Sequence, residues 1–142
     1  MNNSLGLLKK IVQESASASS PEKQMNYIVS AVRDAMSVSV CSLFTVDSDN
    51  GLLLAATDGL DPDSVGKVKL SVGDGLVGTI AQSNHPLNLE NASKHPSYHY
   101  FPETSEEQYQ AFLGVPLVHL SLLIGVLVVQ ERQSRKFSTD DE

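Results

Sequence analysis

The sequence predicts an α+β domain with a central, mostly antiparallel sheet of five to six strands. Helices are expected on one face, and a short helix plus a long loop on the other. The main observation is the stretch 112–131, which is rich in Val, Ile and Leu but contains Gly114, Pro116 and Gly125. Because each of these three residues weakens a helix, we interpret the stretch as two strands in the middle of the sheet. The second observation is that turn sequences join neighbouring strands, which favours antiparallel pairing.

The composition indicates one domain with a proper core. The chain has 142 residues, of which 41% are hydrophobic and 19% charged, an ordinary globular balance. Its net charge is -7 and it has no clustered Lys/Arg stripe, so nucleic acid and an anionic membrane surface are poor partners. The single cysteine, Cys41, excludes an internal disulfide, and we expect a cytoplasmic protein.

Apolar residues recur at helical spacing in two stretches before the first strand. The first, 4–17, predicts an amphipathic helix whose apolar positions are Leu5, Leu8, Ile11 and Val12. The second begins at Ser20-Pro21-Glu22, where Ser caps, Pro suits the first turn and Glu meets the positive helix end. Its apolar stripe consists of Met25, Ile28, Val29, Val32 and Met36.

Shorter elements follow the helices. The turn sequence 47–51 predicts a hairpin between strands 38–46 and 52–57. A strand is expected at 68–72, and the glycine-rich 73–78 then leads into a short helix capped by Asp74. Another short strand is predicted at 86–89, followed by the long polar segment 90–110. The two final strands, about 112–119 and 122–131, are predicted to meet at a tight turn.

The long polar segment contains three aromatic residues, Tyr98, Tyr100 and Phe101. A loop of this length is either functional or a surface excursion with its own small cluster, and the sequence leaves both open. A strand as apolar as 124–129 is predicted to be covered on both faces. After it, 137–142 has the pattern of a capped helix start. We therefore expect 1–142 to be a single domain cut from a longer protein, with the next helix or domain beginning near 137.

Three stretches resemble a GAF sensory domain, and the resemblance covers essentially the whole chain. They are Gly-Asp-Gly-Leu-Val-Gly at 73–78, Leu-Gly-Val-Pro-Leu at 113–117 and Ile-Gly-Val-Leu-Val-Val at 124–129. Shorter stretches resemble the N-terminal GAF domain of the nitrogen-type enzyme I of the phosphoenolpyruvate phosphotransferase system. These are Val40-Cys41-Ser42, 56–60, 86–89, His95-Pro96, Pro102-Glu103 and 105–107.

The resemblance implies a regulatory role. In that group the GAF domain precedes the phosphotransferase domains of the same chain, and it is thought to sense glutamine or 2-oxoglutarate and bias autophosphorylation from phosphoenolpyruvate. GAF domains often pair through terminal helices, so a homodimer is a further implied partner. One departure is Leu120-Ser121-Leu122-Leu123, where the group has a basic turn. This leaves an apolar tip that could form an interface.

Several motifs have a plain structural interpretation. The segment 73–78 matches G-x-G-x-x-G, but that fingerprint needs a parallel βαβ unit, so a tight turn with close packing is favoured. His95 and His99 are four apart with Pro96 between them and no further ligand nearby, so no metal is predicted. Cys41 is expected to behave as a small buried hydrophobe. No cofactor and no catalytic residue is predicted.

A small-molecule pocket is predicted between the sheet and segment 91–111. The candidate ligand-binding residues are Ser42, Phe44, Thr57, His95, Tyr98, Tyr100, Phe112 and Gly114. For the apolar members, simple core packing is the alternative.

Three functions compete at this point. The first is a sensor for a small amino or keto acid, and the second is a dimerisation or domain-docking module with no ligand. The third is an enzyme, because free methionine sulfoxide reductases are GAF proteins. Those enzymes need several cysteines and this chain has one, so we expect no enzymatic activity from it.

Overall fold

The computed structural model describes residues 20–47, 49, 51–92, 95, 109–133 and 137. The helix predicted at 4–17, Tyr98, Tyr100 and the helix start predicted after residue 137 lie outside the described residues. In chain order the elements are α1 Pro21–Met36, β1 Val40–Val46, β2 Leu52–Asp58, a 3₁₀ turn Pro62–Ser64, β3 Lys69–Leu70, α2 Gly75–Ser83, β4 Leu87–Leu89, β5 Ala111–His119 and β6 Leu122–Glu131.

The six strands form one sheet in the order β3-β2-β1-β6-β5-β4, and every neighbouring pair is antiparallel. The predicted fold class is confirmed. One detail differs, because both final strands were predicted to lie in the middle of the sheet. β6 does lie there, beside β1, but β5 is second from the edge. The reason is that β1 pairs with β2 on one side and with β6 on the other, which displaces β5 outward.

The ends of α1 follow the sequence signals. Ser20 is the N-cap, and its Oγ accepts a hydrogen bond from the Lys23 backbone N–H at 3.2 Å. Pro21 occupies the first turn, where a missing N–H costs nothing. At the other end Ser37 adopts a left-handed conformation, and its N–H reaches back to the carbonyls of Arg33 and Asp34. The predicted apolar stripe of this helix faces the sheet, with Val29 and Val32 fully buried.

Strand alternation gives the sheet two different faces, here named the α1 face and the α2 face. On β1, Cys41 and Leu43 point to the α1 face, whereas Phe44 points to the α2 face. A bulge in β2 changes its alternation: Leu43 pairs with Ala56 but Phe44 pairs with Leu54, leaving Ala55 as the extra residue. Leu54 therefore lies on the α2 face and Ala56 on the α1 face, although they are two residues apart.

Each face has its own apolar core. The core of the α1 face joins α1 with Cys41, Leu43, Ala56, Ala111, Leu113, Leu127, Val129 and Phe137. The core of the α2 face consists of Phe44, Leu52, Leu54, Val68, Leu70, Leu76, Val77, Ile80, Ala92, Phe112, Val126 and Val128. The sheet is thus the middle layer of three layers in the described part of the chain.

A polar network fixes the C-terminal end of α1 to the sheet. The Arg33 guanidinium donates to the Ser39 carbonyl at 2.9 Å and to the Asp58 carboxylate at 3.1 Å. Ser39 in turn donates its N–H and its hydroxyl to the two oxygens of Glu131, at 3.0 and 2.6 Å. Residues from α1, the α1–β1 connection, β2 and β6 are therefore joined at one end of the sheet.

The glycine-rich segment 73–78 turns into α2 as expected. A Cβ on Gly78 would lie 2.6 Å from the Ser71 carbonyl oxygen, so close backbone packing requires glycine there. Asp74 occupies the predicted N-cap position, but its side chain makes no capping hydrogen bond. The strand expected at 68–72 is shorter than predicted, because only Lys69 and Leu70 pair with β2.

The β5–β6 hairpin ends in the predicted tight turn. Leu120 and Ser121 both have positive φ, 51° and 65°, the conformation of a type I′ turn. The apolar side chains around this turn are exposed: Leu120 by 83%, Leu122 by 69% and Ile124 by 53%. The prediction that 124–129 is covered on both faces is therefore wrong for Ile124 and right for 125–129, where every residue is buried.

Gly125 provides a test of how closely β1 and β6 approach. A Cβ at this position would collide with the Phe44 backbone carbonyl, which cannot rotate away. A Cβ at Gly114 would meet the ends of the Ile80 and Phe112 side chains, which can shift. We expect Gly125→Ala to lower the free energy of unfolding by about 1–3 kcal/mol, measured by urea denaturation. The control Gly114→Ala should cost less, and an equal or larger cost would contradict this packing.

Candidate functional site

The α2 face changes character along the sheet. Beneath α2 its residues are entirely apolar, as in Phe44, Leu54 and Val126. Toward the opposite end of these strands, three polar side chains point to the same face of the sheet. They are Ser42 on β1, Thr57 on β2 and Gln130 on β6. We call these three residues the polar floor. Buried polar groups are costly unless they are paired or used, so the polar floor is the candidate site.

Ser42 and Thr57 form the centre of the polar floor. They are directly opposite in the β1–β2 register, and their hydroxyl oxygens lie 2.9 Å apart, a hydrogen bond in which either can donate. Ser42 is only 1% exposed. Each hydroxyl has one donor and two acceptor sites, so the pair retains capacity for a further hydrogen-bonding group. The Ala55 bulge is what brings Thr57 to this face.

Gln130 is the polar-floor residue that sequence reasoning missed. It pairs with Val40 on one side and Phe112 on the other, and is 4% exposed. A signal was present in the sequence: Val126, Val128 and Gln130 alternate, so Gln130 takes an inward position in an otherwise apolar strand. Its carboxamide contains both donor and acceptor atoms.

A small apolar cluster of Val40, Leu60 and Tyr109 adjoins this end of the sheet. Tyr109 is buried, and the Arg132 guanidinium lies 5.8 Å from its ring centroid. The chain around it is tied to the sheet, because the Gln110 N–H donates to the Glu131 carbonyl at 2.8 Å. The Gln110 carbonyl accepts from Ala92 at 2.6 Å, which connects both ends of the long segment to β6.

The other candidate residues lie in different surroundings. Phe44 and Phe112 are both buried in the apolar core beneath α2. Gly114 lies against the Ile80 side chain of α2. These three therefore line the apolar half of the same face, while Ser42 and Thr57 belong to the polar half. His95 is half-buried, and its backbone N–H donates to the Ala92 carbonyl at 3.0 Å.

The remaining chemistry of the described residues is limited. Cys41 is fully buried on the α1 face, and burial, with a smaller contribution from Asp58, raises the pKa of its thiol far above the usual range. Such a thiol is a poor nucleophile. The described residues contain no group of three or more His, Cys, Asp and Glu side chains that could share a metal ion. Among them, no helix combines the length and apolar content needed to cross a bilayer.

The polar floor itself carries no formal charge. Asp58 and Glu131 follow Thr57 and Gln130 directly in sequence, but alternation turns both carboxylates to the α1 face, where Arg33 and Ser39 bind them. The site can therefore donate and accept hydrogen bonds without repelling an acid. This arrangement suits binding of a small polar molecule.

A family model described as the GAF domain matches residues 20–142. Among curated proteins, the chain is 39% identical over 136 residues to the "Phosphoenolpyruvate-dependent phosphotransferase system" protein of Escherichia coli (strain K12). That match covers 95% of this chain and 18% of the relative, so the chain spans less than a fifth of that protein's length.

Solved structures agree with this match. The GAF domain of a phosphoenolpyruvate-protein phosphotransferase from Coxiella burnetii superposes with a TM-score of 0.88 at 37% identity, covering 99% of this chain and 84% of that one. The corresponding GAF domain from Acinetobacter gives a TM-score of 0.84 at 42% identity, with coverage of 99% and 85%.

The Ser42–Thr57 contact can be measured by a double-mutant cycle. Thr57→Val leaves the buried Ser42 hydroxyl without its partner, and Ser42→Ala does the same to the half-buried Thr57 hydroxyl. Each variant should therefore lower the free energy of unfolding by about 1–2 kcal/mol. The double variant should cost less than the sum of the two, by about 0.5–1 kcal/mol, because no orphaned hydroxyl remains. Urea denaturation gives the free energy of unfolding of the unmodified chain, the two single variants and the double variant. Strict additivity would show that the two hydroxyls do not interact.

Proposed function

The chain belongs to the GAF domain family, and on that premise we propose that it binds a small metabolite of the glutamine or 2-oxoglutarate class. We further propose that this binding modulates autophosphorylation of phosphoenolpyruvate-dependent phosphotransferase domains downstream in the same protein. The family is a regulatory and sensory one, and the relatives with the highest identities quoted above are phosphotransferase-system proteins. The phosphotransfer itself belongs, in this proposal, to domains outside residues 1–142.

The observation that carries the proposal is the polar floor on an otherwise apolar, buried face. Apolar side chains at these three positions would pack without any need for hydrogen bonds. The hydroxyls of Ser42 and Thr57, which share one hydrogen bond, can instead meet the carboxylate, amino, keto or amide groups of a small acid. The apolar residues beside them, Phe112 and Val128, would accommodate its methylene groups.

A route from the polar floor to the opposite face is present in the strands themselves. Thr57 is followed by Asp58, which binds Arg33 on α1. Gln130 is followed by Glu131, which binds Ser39 just after α1. In this proposal, a ligand that shifts β2 or β6 at the floor also shifts the carboxylates that fix the end of α1, and so changes the position of that helix.

Calorimetry with the 1–142 chain tests whether glutamine or 2-oxoglutarate binds. We expect heat of binding with glutamine or 2-oxoglutarate, and a Kd about tenfold weaker in Thr57→Val, since one ligand hydrogen bond is lost. The matched control is Thr45→Val, the same substitution on β1 opposite Gly125 and away from the floor. Folded protein that gives no heat of binding with either compound would exclude both as ligands. An equal increase in Kd in the two variants would exclude the polar floor as the binding site.

A second candidate function is a docking or dimerisation module that has no ligand. The specific observation for it is the hairpin tip, defined as Val118, Leu120, Leu122 and Ile124, all of which are exposed apolar residues. The stretch 111–130 contains no Lys, Arg, Asp or Glu, although the chain has a net charge of -7. Exposed, uncharged apolar patches of this kind mark interaction surfaces.

Sedimentation at several concentrations tests whether the chain associates through the hairpin tip. We expect the chain to associate as concentration rises and Leu120→Asp to remain monomeric, because a charge at the tip would have to be desolvated in the contact. The control Val65→Asp places the same charge at another exposed apolar residue, and it should associate like the unmodified chain. A strictly monomeric unmodified chain would refute association through the tip.

A further inference from the structure

An arginine lies at the polar-floor end of the α2 face. Arg132 directly follows β6, and its guanidinium lies 5.8 Å from the centroid of the Tyr109 ring. Tyr109 packs with Val40, which shares the α2 face with Ser42 because the two alternate along β1. The contact with Tyr109 therefore brings the Arg132 guanidinium to the same face of the sheet as the polar floor.

The backbone of Arg132 is held by the polar network at the end of β6. Its N–H donates to a carboxylate oxygen of Glu131 at 3.0 Å, and the same carboxylate accepts from Ser39. Strand residues rise about 3.4 Å each, so the Cα atoms of Gln130 and Arg132 are at most about 7 Å apart. A five-carbon acid has a comparable length, and one such molecule can therefore contact both the guanidinium and the polar floor.

The described part of the chain supplies no carboxylate partner to the Arg132 guanidinium; the ion pair it contains is that of Arg33 with Asp58. Arg33 also donates to the Ser39 carbonyl, which commits it to the α1 face. A guanidinium has five N–H donors in a planar fork that fits a carboxylate with two parallel hydrogen bonds. Contact with an aromatic ring is weaker than such a pair, so Arg132 can exchange the Tyr109 ring for a carboxylate.

The charge of the chain makes a cation at this place important for an acidic ligand. The net charge is -7 and the polar floor consists of neutral side chains, so neither attracts an anion. We propose that Arg132 binds the carboxylate of a small acid whose other end contacts the hydroxyls of Ser42 and Thr57. This inference rests on the proposed function and names the ligand class more closely, because the site then selects acids over their neutral amides.

Calorimetry with Arg132→Gln in the 1–142 chain tests the carboxylate contact, and Arg132 is exposed, so the variant should fold. For whichever of glutamine and 2-oxoglutarate binds the unmodified chain, we expect Kd to rise about tenfold or more, because a two-bond ion pair is lost. The matched control is Lys69→Gln, which removes one positive charge from an exposed residue of β3, three strand positions from β6. Its Kd should stay within about twofold of the unmodified value.

The outcomes separate this inference from the proposed function. Binding that is equally strong in Arg132→Gln and in Lys69→Gln would overturn the role of Arg132 and leave the polar floor as the ligand site. Folded, unmodified chain that binds neither glutamine nor 2-oxoglutarate would overturn the proposed ligands and this inference together.

A second measurement identifies the ligand group that Arg132 contacts. It compares the acid that binds with its carboxamide form, which is the α-carboxamide of glutamine or the diamide of 2-oxoglutarate. The unmodified chain should bind the amide about tenfold more weakly than the acid, and this difference should largely disappear in Arg132→Gln, since the partner of the carboxylate is gone. An equal preference for the acid in both chains would show that the carboxylate binds elsewhere, and would overturn the proposal.

Discussion

The constraint on which this structure depends is the alternation of side chains along β1, β2 and β6. These strands lie between the two apolar cores, so successive residues along them must suit different layers. The Ala55 bulge shifts the alternation of β2 by one residue, which places Leu54 beneath α2 and Ala56 beneath α1. Without the bulge, Thr57 would leave the face of Ser42, and their 2.9 Å contact could not form.

The same alternation relates the candidate site to the helical layer behind it. At the end of β2, a polar-floor residue is followed by a carboxylate that binds Arg33, and at the end of β6 the next carboxylate binds Ser39. Binding and response would therefore occupy neighbouring residues on opposite faces of one sheet. In the proposed response, a displacement of either strand would carry both side chains with it.

Much of the fold could be predicted because its signals are local. The Ser20-Pro21 start of α1 and the strand at 125–130 depend on capping and on burial of apolar residues. Gln130 was missed because its own strand is dominated by Val and Leu, and its importance appears only beside Ser42 and Thr57. The bulge at Ala55 and the exposure of Ile124 depend on pairing and on where the helices end, which sequence periodicity does not encode.

The central claim is that the polar floor receives a metabolite. A titration of ¹⁵N-labelled chain with glutamine and with 2-oxoglutarate, followed by amide chemical shifts, tests it most directly. The account predicts that one of the two compounds causes its largest amide chemical-shift changes at Ser42, Thr57 and Gln130, and smaller changes at Arg33. Chemical-shift changes confined to residues beneath α2, such as Leu54 and Val126, would contradict it.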